Sequence, residues 1–154
     1  MNRATRVLVG LVIVGVLAVV IGRVISSVVP PPVVGLTADG RLHPCPDDDS
    51  CVSSLADDER HAIEPLPCAP GDLAAVVQRA ERVLDRVTVE EIDGRYAHLT
   101  ARSFTFGFVD DLELHGRGSA IQVRSAARLG GNDFGVNRDR VQSLHEAVDG
   151  TVCQ

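Results

Sequence analysis

The chain has 154 residues, a formal net charge of −6 and only 3% aromatic residues, with no tryptophan. An acidic chain with so few aromatic side chains lacks the basic and stacking surfaces with which proteins bind nucleic acid, so a nucleic-acid partner is excluded. All 15 basic residues are arginine, which excludes chemistry that depends on lysine, such as a Schiff base or a P-loop.

The N-terminal segment is strongly apolar. Residues 7–22 contain no polar side chain, and the apolar character resumes after Arg23. A helix from Val7 to Val29 would be about 34 Å long, enough to cross the roughly 30 Å hydrocarbon core of a bilayer. Two arginines precede the segment, which favours a cytoplasmic N-terminus. We therefore predict residues 1–29 as a cytoplasmic tip and an uncleaved membrane anchor, with a cleaved signal peptide as the alternative.

A proline-rich linker is predicted after the anchor. Residues 30–42 begin with three prolines, which favour a stiff polyproline II spacer. We expect residues 43–154 to form the extracytoplasmic domain of a single-pass protein of the cell membrane. After Arg23 the chain has 12 arginines against 21 acidic residues, a net charge of −9. Because an anionic membrane surface repels such a domain, we expect the linker to hold it away from the bilayer.

Four cysteines lie in the predicted extracytoplasmic domain: Cys45, Cys51, Cys68 and Cys153. An even number in an oxidising compartment indicates two disulfides. Three pairings are possible, and we favour Cys45–Cys51 and Cys68–Cys153, since the second would tie the C-terminus to the start of the main domain. The alternative is a zinc site with nearby histidines, but the spacing lacks the close cysteine pair of structural zinc motifs. We predict no metal and no cofactor.

Hydrophobic periodicity predicts two helices in the domain. Residues 72–86 carry apolar side chains at helical spacing, with Asp72 as the N-cap. Residues 138–148 repeat the pattern, with Asn137 as the N-cap and a glycine as the stop. Each helix has one apolar stripe and therefore needs a sheet face to cover it.

Alternating patterns between these helices predict four strands, at residues 88–92, 96–104, 109–115 and 120–126. Short glycine turns join them, which favours an antiparallel meander. The expected fold is α+β: a two-layer sandwich with a four-stranded antiparallel meander and two helices on one face, preceded by one transmembrane helix.

Strand alternation assigns the side chains to two faces of this sheet. The face toward the helices receives apolar residues: Leu99, Ala101, Leu112, Leu114, Ile121 and Val123. The opposite face receives polar residues: His98, Thr100, Arg102, Asp111, Glu113, His115, Gln122, Arg124 and Arg128. We expect this polar face to be exposed, with acids and arginines interleaved across neighbouring strands.

Three interpretations of the polar face remain open. The first is a ladder of ion pairs on a solvated surface, each contributing about 0–1 kcal/mol. The second is a ligand platform in which three arginines hold an anionic group: Arg102, Arg124 and Arg128. The third is an acid–base or metal site: Asp110, Asp111, Glu113 and His115. Since Asp110 and Asp111 are adjacent, a regular strand would point them to opposite faces.

Several short segments of the domain carry a common pattern: Cys45-Pro46 with Cys51-Val52-Ser53-Ser54, Ile63-Glu64-Pro65, Gly107 to Glu113, Val123 to Gly130, and Asp133 to Arg138. Together they resemble the family catalogued as domain of unknown function 1499, over Cys45 to Val148. The resemblance implies a folded domain but no reaction. Cys68 and Cys153 lie outside the family pattern, which supports their pairing with one another. Ala127 stands where the family commonly has a second serine.

Strand alternation and the resemblance together indicate a candidate ligand-binding site: Arg102, Asp111, Glu113, Arg124, Arg128, Asn137 and Arg138. We interpret the protein as an anchored module that binds a small anionic ligand or an envelope protein without catalysis. One alternative is a metal-assisted or acid–base hydrolase whose reaction would use four side chains: Asp110, Asp111, Glu113 and His115. The other is a purely structural envelope protein.

Overall fold

The computed structural model describes residues 2–28, 33–148 and 153, so the predicted linker prolines and the predicted stop at Gly150 lie outside the described residues. The helices are α1 (Arg3–Val28), α2 (Leu73–Val83) and α3 (Val136–Val148), and a 3-10 turn (Pro70–Asp72) leads into α2. The strands are β1 (Cys51–Ser53), β2 (Val87–Asp93), β3 (Tyr96–Arg102), β4 (Val109–Arg117) and β5 (Ala120–Ala127).

The sheet is antiparallel throughout and has the order β1-β5-β4-β3-β2. Strands β2 to β5 form the predicted four-stranded meander. Strand β1 adds an edge that was not predicted, where Val52 pairs with Ser125. A segment of three residues is too short to show an alternating pattern, so only its pairing with β5 reveals it as a strand. The α+β architecture is confirmed.

The apolar face of the sheet packs against α2 and α3, as strand alternation predicts. Leu99, Leu112 and Val123 are fully buried on this face. Val76 of α2 and Leu144 of α3 close the same core from the helix side. Burial of each such side chain contributes roughly 1.5–3 kcal/mol, and this core therefore fixes both helices on one face.

The predicted ends of α2 differ from the observed ones. The helix was expected over residues 72–86 but ends at Val83, because Leu84 adopts an extended conformation (φ −96°, ψ 136°). Asp72 occupies the N-cap position, yet its side chain makes no capping hydrogen bond. The shorter helix lets the chain turn directly into β2.

The start of α3 also differs from the prediction. Asn137 was expected to be the N-cap, but the helix begins one residue earlier, at Val136. The Asp133 carboxylate takes the capping role, accepting hydrogen bonds from the backbone N–H of Gly135 (3.0 Å) and of Asn137 (2.7 Å). The Asn137 side chain is buried instead and accepts a hydrogen bond from the Ser125 hydroxyl (2.5 Å).

Both favoured disulfides are present. Cys45 is joined to Cys51 with a Cα–Cα distance of 5.6 Å, and Cys68 to Cys153 with a distance of 4.8 Å. Cys68 is buried, and Cys153 packs against the hydrophobic core. The second disulfide therefore ties Cys153 to the core of the domain, as predicted.

The N-terminal helix α1 has the length and composition of a membrane span. It contains 26 residues, which corresponds to about 39 Å. The stretch Arg3–Ile25 is apolar enough to cross a bilayer, and its most apolar part is not buried within the protein. A signal sequence would share these properties.

Candidate functional site

The central part of the polar sheet face is buried, contrary to the expectation that the face is exposed. Cross-strand pairing places His98 beside Glu113, and Glu113 beside Arg124, so the predicted interleaving of acids and arginines is correct. These three residues, together with Thr100 and Asp111, are almost inaccessible to solvent. The interpretation of this face as a ladder of solvated surface ion pairs is therefore wrong, because other parts of the protein cover these residues.

Part of that cover comes from the segment predicted as a linker. The backbone N–H of Gly35 donates a hydrogen bond of 2.7 Å to Glu113 Oε1. Leu36 and Leu42 form an antiparallel bridge, and Leu42 is buried. The Arg117 guanidinium donates to the Gly40 carbonyl (2.8 Å). Residues 33–42 thus fold back onto the sheet.

Glu113 is the centre of one buried cluster. Its carboxylate accepts hydrogen bonds from Arg124 Nη1 (2.6 Å), the Tyr96 hydroxyl (2.8 Å) and the Gly35 amide. Burial, followed by the nearby Glu113 charge, raises the pKa of the Tyr96 hydroxyl. A buried carboxylate is tolerated only when its oxygens are paired and hydrogen-bonded, and these three donors meet that requirement.

Asp111 is the centre of a second buried cluster. Arg128 binds its carboxylate in bidentate fashion, with Nε at 2.9 Å and Nη2 at 2.7 Å, and His98 Nε2 lies 2.7 Å from Oδ1. Burial by itself would raise the pKa of Asp111. The hydrogen bonds from His98 and Arg128 outweigh it and hold that pKa below its ordinary value.

Two polar atoms on this face lie buried without a hydrogen-bonding partner among the described residues: His115 Nδ1 and Arg124 Nε. Burial, with smaller contributions from Arg117 and Arg95, lowers the pKa of His115. The neutral imidazole is therefore favoured at this position. Both atoms belong to strands β4 and β5, on the same face as the Glu113 cluster.

The four residues of the predicted acid–base cluster do not come together. Asp110 points to the opposite face, as adjacency in a strand requires, and pairs with Arg140 Nη2 of α3 at 2.6 Å. Burial raises the pKa of Asp110, although Arg140 opposes the shift. Asp111 and Glu113 are each held by an arginine of β5 or its end. Within the described part of the chain, no group of three or more histidine, cysteine, aspartate or glutamate side chains is arranged to hold a metal ion.

The other residues of the predicted ligand site lie elsewhere. Arg102 is exposed at the end of β3. The amide nitrogen of Asn137 donates to the Ser50 carbonyl beneath α3 (3.1 Å). Arg138 reaches from α3 to the carbonyl oxygens of Arg60 (2.7 Å) and Ala62 (2.8 Å). The predicted site is thus divided between the covered sheet face and two sides of α3.

A groove that sequence reasoning missed lies beside Arg138. It runs between α3 and residues 54–65 and encloses about 830 Å³. Ile63 and Val141 supply apolar walls, while several polar side chains converge on it: Glu64, Arg138, Gln142, His145 and Glu146. We call this the α3 groove. Its two walls are about 80 residues apart in sequence. Each wall contains a segment that resembles the family pattern, and this was the one sequence feature that could have linked them.

The comparison with known proteins gives one match. A family model described as a protein of unknown function (DUF1499) matches residues 41–148, which includes the whole sheet and both domain helices. No curated protein and no solved structure matches. The matched region begins within the segment that covers the polar sheet face and ends at the last residue of α3.

Proposed function

This chain belongs to DUF1499, a family of proteins of unknown function, and from its geometry we propose that it is a membrane-anchored extracytoplasmic module that binds a partner segment in the α3 groove. The groove is the observation that carries the proposal. Its volume lies within the roughly 300–1,000 Å³ range of ligand sites in proteins. Its mixture of apolar walls and convergent polar groups suits a short peptide segment of an envelope protein.

The anchored, extracytoplasmic location is supported by two independent features. The apolar part of α1 is long enough to span a bilayer and is not buried in the protein. The domain that follows contains two disulfides, which persist in oxidising compartments outside the cytoplasm. A membrane-spanning α1 with the domain on the oxidising side accounts for both.

The arginines of the polar sheet face support a structural role rather than ligand capture. Arg124 and Arg128 are already paired with Glu113 and Asp111 inside the protein. An anionic ligand would have to replace these carboxylates and open the cover formed by residues 33–42. In the α3 groove, by contrast, Gln142 and Glu146 are exposed and accessible to a partner.

Photo-crosslinking in cells tests this proposal. A photoreactive amino acid at Glu146 of the full chain should yield a discrete adduct with its partner. Filling the groove with Gln142→Trp should reduce that adduct roughly tenfold or more, equivalent to a binding loss of about 1.4 kcal/mol. The matched control is Ser143→Trp, the next residue of α3, which is exposed but lies outside the groove.

The control should retain the adduct. Absence of any adduct at Glu146 in a folded, disulfide-bonded chain would contradict the binding role. An adduct that survives Gln142→Trp would show that the partner contacts Glu146 without occupying the α3 groove.

A further inference from the structure

All four phenylalanines of the chain lie at the protein surface. Phe104 is 76% exposed, Phe106 38%, Phe108 40% and Phe134 93%. Large aromatic side chains are normally among the most buried in a protein. An exposed set of this kind indicates a surface that contacts something apolar.

These phenylalanines gather at one end of the sheet. Phe104, Phe106 and Phe108 belong to the loop that joins β3 to β4, and Phe134 belongs to the connection from β5 to α3. Because Asp110 at the start of β4 pairs with Ala127 at the end of β5, both connections leave the sheet at the same end. We call the region formed by these two connections, with their four phenylalanines, the aromatic end. The rings of Phe106 and Phe108 stack on each other with centroids 5.4 Å apart.

The C-terminal part of α1 contacts this aromatic end. Arg23 Nη2 donates a hydrogen bond of 3.1 Å to the Phe104 carbonyl. A Cβ atom built on Gly22 would lie only 3.1 Å from the Phe106 ring, and one built on Gly107 only 3.3 Å from Arg23 Cγ. The absence of a side chain at both glycines lets the helix and the loop approach closely.

The position of this contact along α1 fixes the level of the aromatic end relative to a bilayer. The stretch that is apolar enough to cross a bilayer reaches Ile25, and α1 continues to Val28. At about 1.5 Å per residue, Arg23 therefore lies roughly 3 Å before Ile25 and roughly 8 Å before the end of the helix. That level corresponds to the membrane–water interface, where aromatic side chains are enriched.

We propose that the aromatic end inserts into the lipid interface beside α1 and docks the domain directly on the bilayer. The inference rests on the proposed anchoring by α1. It replaces the expectation that the acidic domain is held away from the membrane. The loop from Ser103 to Phe108 carries no charge, and Arg86 lies over the Phe104 ring (4.9 Å). Insertion is therefore driven by burial of the apolar phenylalanine rings.

Single-tryptophan fluorescence tests the docking, because the chain contains no tryptophan of its own. The full chain with Phe104→Trp is reconstituted into phosphatidylcholine vesicles, with or without lipids brominated near the headgroup. We expect blue-shifted emission that the brominated lipids quench. Phe134→Trp provides a second, independent position at the aromatic end.

The matched control is Ile92→Trp. Ile92 is 52% exposed and lies beside the β2–β3 hairpin, at the opposite end of the sheet, about 20 Å away along β3. Its emission should be red-shifted and unaffected by brominated lipids. Equal quenching at Ile92 and Phe104 would overturn the proposal, since it would show no preferred docking end.

Alkaline carbonate extraction separates this inference from the anchoring on which it rests. If the chain resists extraction but neither Phe104→Trp nor Phe134→Trp is quenched, the docking is wrong and the anchor stands. If carbonate releases the chain from the vesicles, the anchoring is wrong and the docking fails with it.

Discussion

Asp111 shows how single residues stabilise the interior of this domain. Its carboxylate is completely buried, and its ionised form depends on the bidentate bond from Arg128 and the contact with His98. Removing one partner from a buried ion pair leaves the other charge uncompensated, which destabilises a protein more than loss of a surface pair does.

We predict that Asp111→Asn lowers the free energy of unfolding by about 3–5 kcal/mol, because the largely buried Arg128 guanidinium loses its counter-charge. Urea unfolding of the full chain in detergent micelles, followed by circular dichroism, measures the change. The control is Asp39→Asn, which removes an exposed ion pair with Arg41 and should leave stability close to that of the wild type. Equal effects of the two substitutions would contradict the structural role of the Asp111 cluster.

The same substitution has an expected pH signature. The pKa of Asp111 is lowered in the folded protein, so its contribution to stability is present above the ordinary value of 3.8 and is lost as pH falls through the folded value. The wild type should therefore lose stability below about pH 4 more steeply than Asp111→Asn.

At the scale of elements, Gly116 controls how closely the 3-10 turn can approach the sheet. A Cβ atom at Gly116 of β4 would lie 2.9 Å from the Cα, Cβ and carbonyl oxygen of Pro70. Two of these are backbone atoms, which cannot rotate away. The absence of a side chain in β4 therefore sets the position from which α2 begins.

We predict that Gly116→Ala destabilises the domain by about 1–3 kcal/mol, because β4 and the turn must move apart. Thermal unfolding in detergent micelles measures the effect as a lower Tm. Gly71→Ala is the control in the same turn, since a Cβ there would meet no atom within 4 Å. A Tm for Gly116→Ala no lower than that of the control would show that the close approach does not constrain α2.

At the scale of the whole molecule, the two disulfides constrain the chain very differently. Cys45 and Cys51 are six residues apart, whereas Cys68 and Cys153 are separated by 85 residues. On the chain-entropy account, closing a longer loop restricts the unfolded chain more strongly. Cys153 itself also packs against the core.

We predict that the double substitution Cys68→Ala, Cys153→Ala lowers the free energy of unfolding by about 4–5 kcal/mol, against about 2 kcal/mol for Cys45→Ala, Cys51→Ala. Each pair is removed completely, so no free thiol remains from it. Urea unfolding under non-reducing conditions compares the two variants. The reverse order of stabilities would mean that local packing around Cys45, rather than loop closure, dominates.

The sequence by itself determined the features that depend on local periodicity and composition. The apolar run identified α1, alternation assigned Leu99 and Leu112 to the core face, and cysteine number and position indicated the two disulfides. Alternation also correctly predicted that Asp110 and Asp111 point to opposite faces of the sheet. Each of these follows from spacing along the chain, which the backbone geometry of a helix or strand converts directly into direction.

Only the tertiary structure decided what lies against each surface. Gly35, 78 residues away in sequence, donates a hydrogen bond to Glu113, and the sheet face that we expected to be solvated is buried there. The α3 groove and the contact of Arg23 with the Phe104 loop likewise join segments distant in sequence. Periodicity tells which side of a strand a residue faces, but the partner on that side is set by long-range packing of the whole chain, for which no local pattern exists.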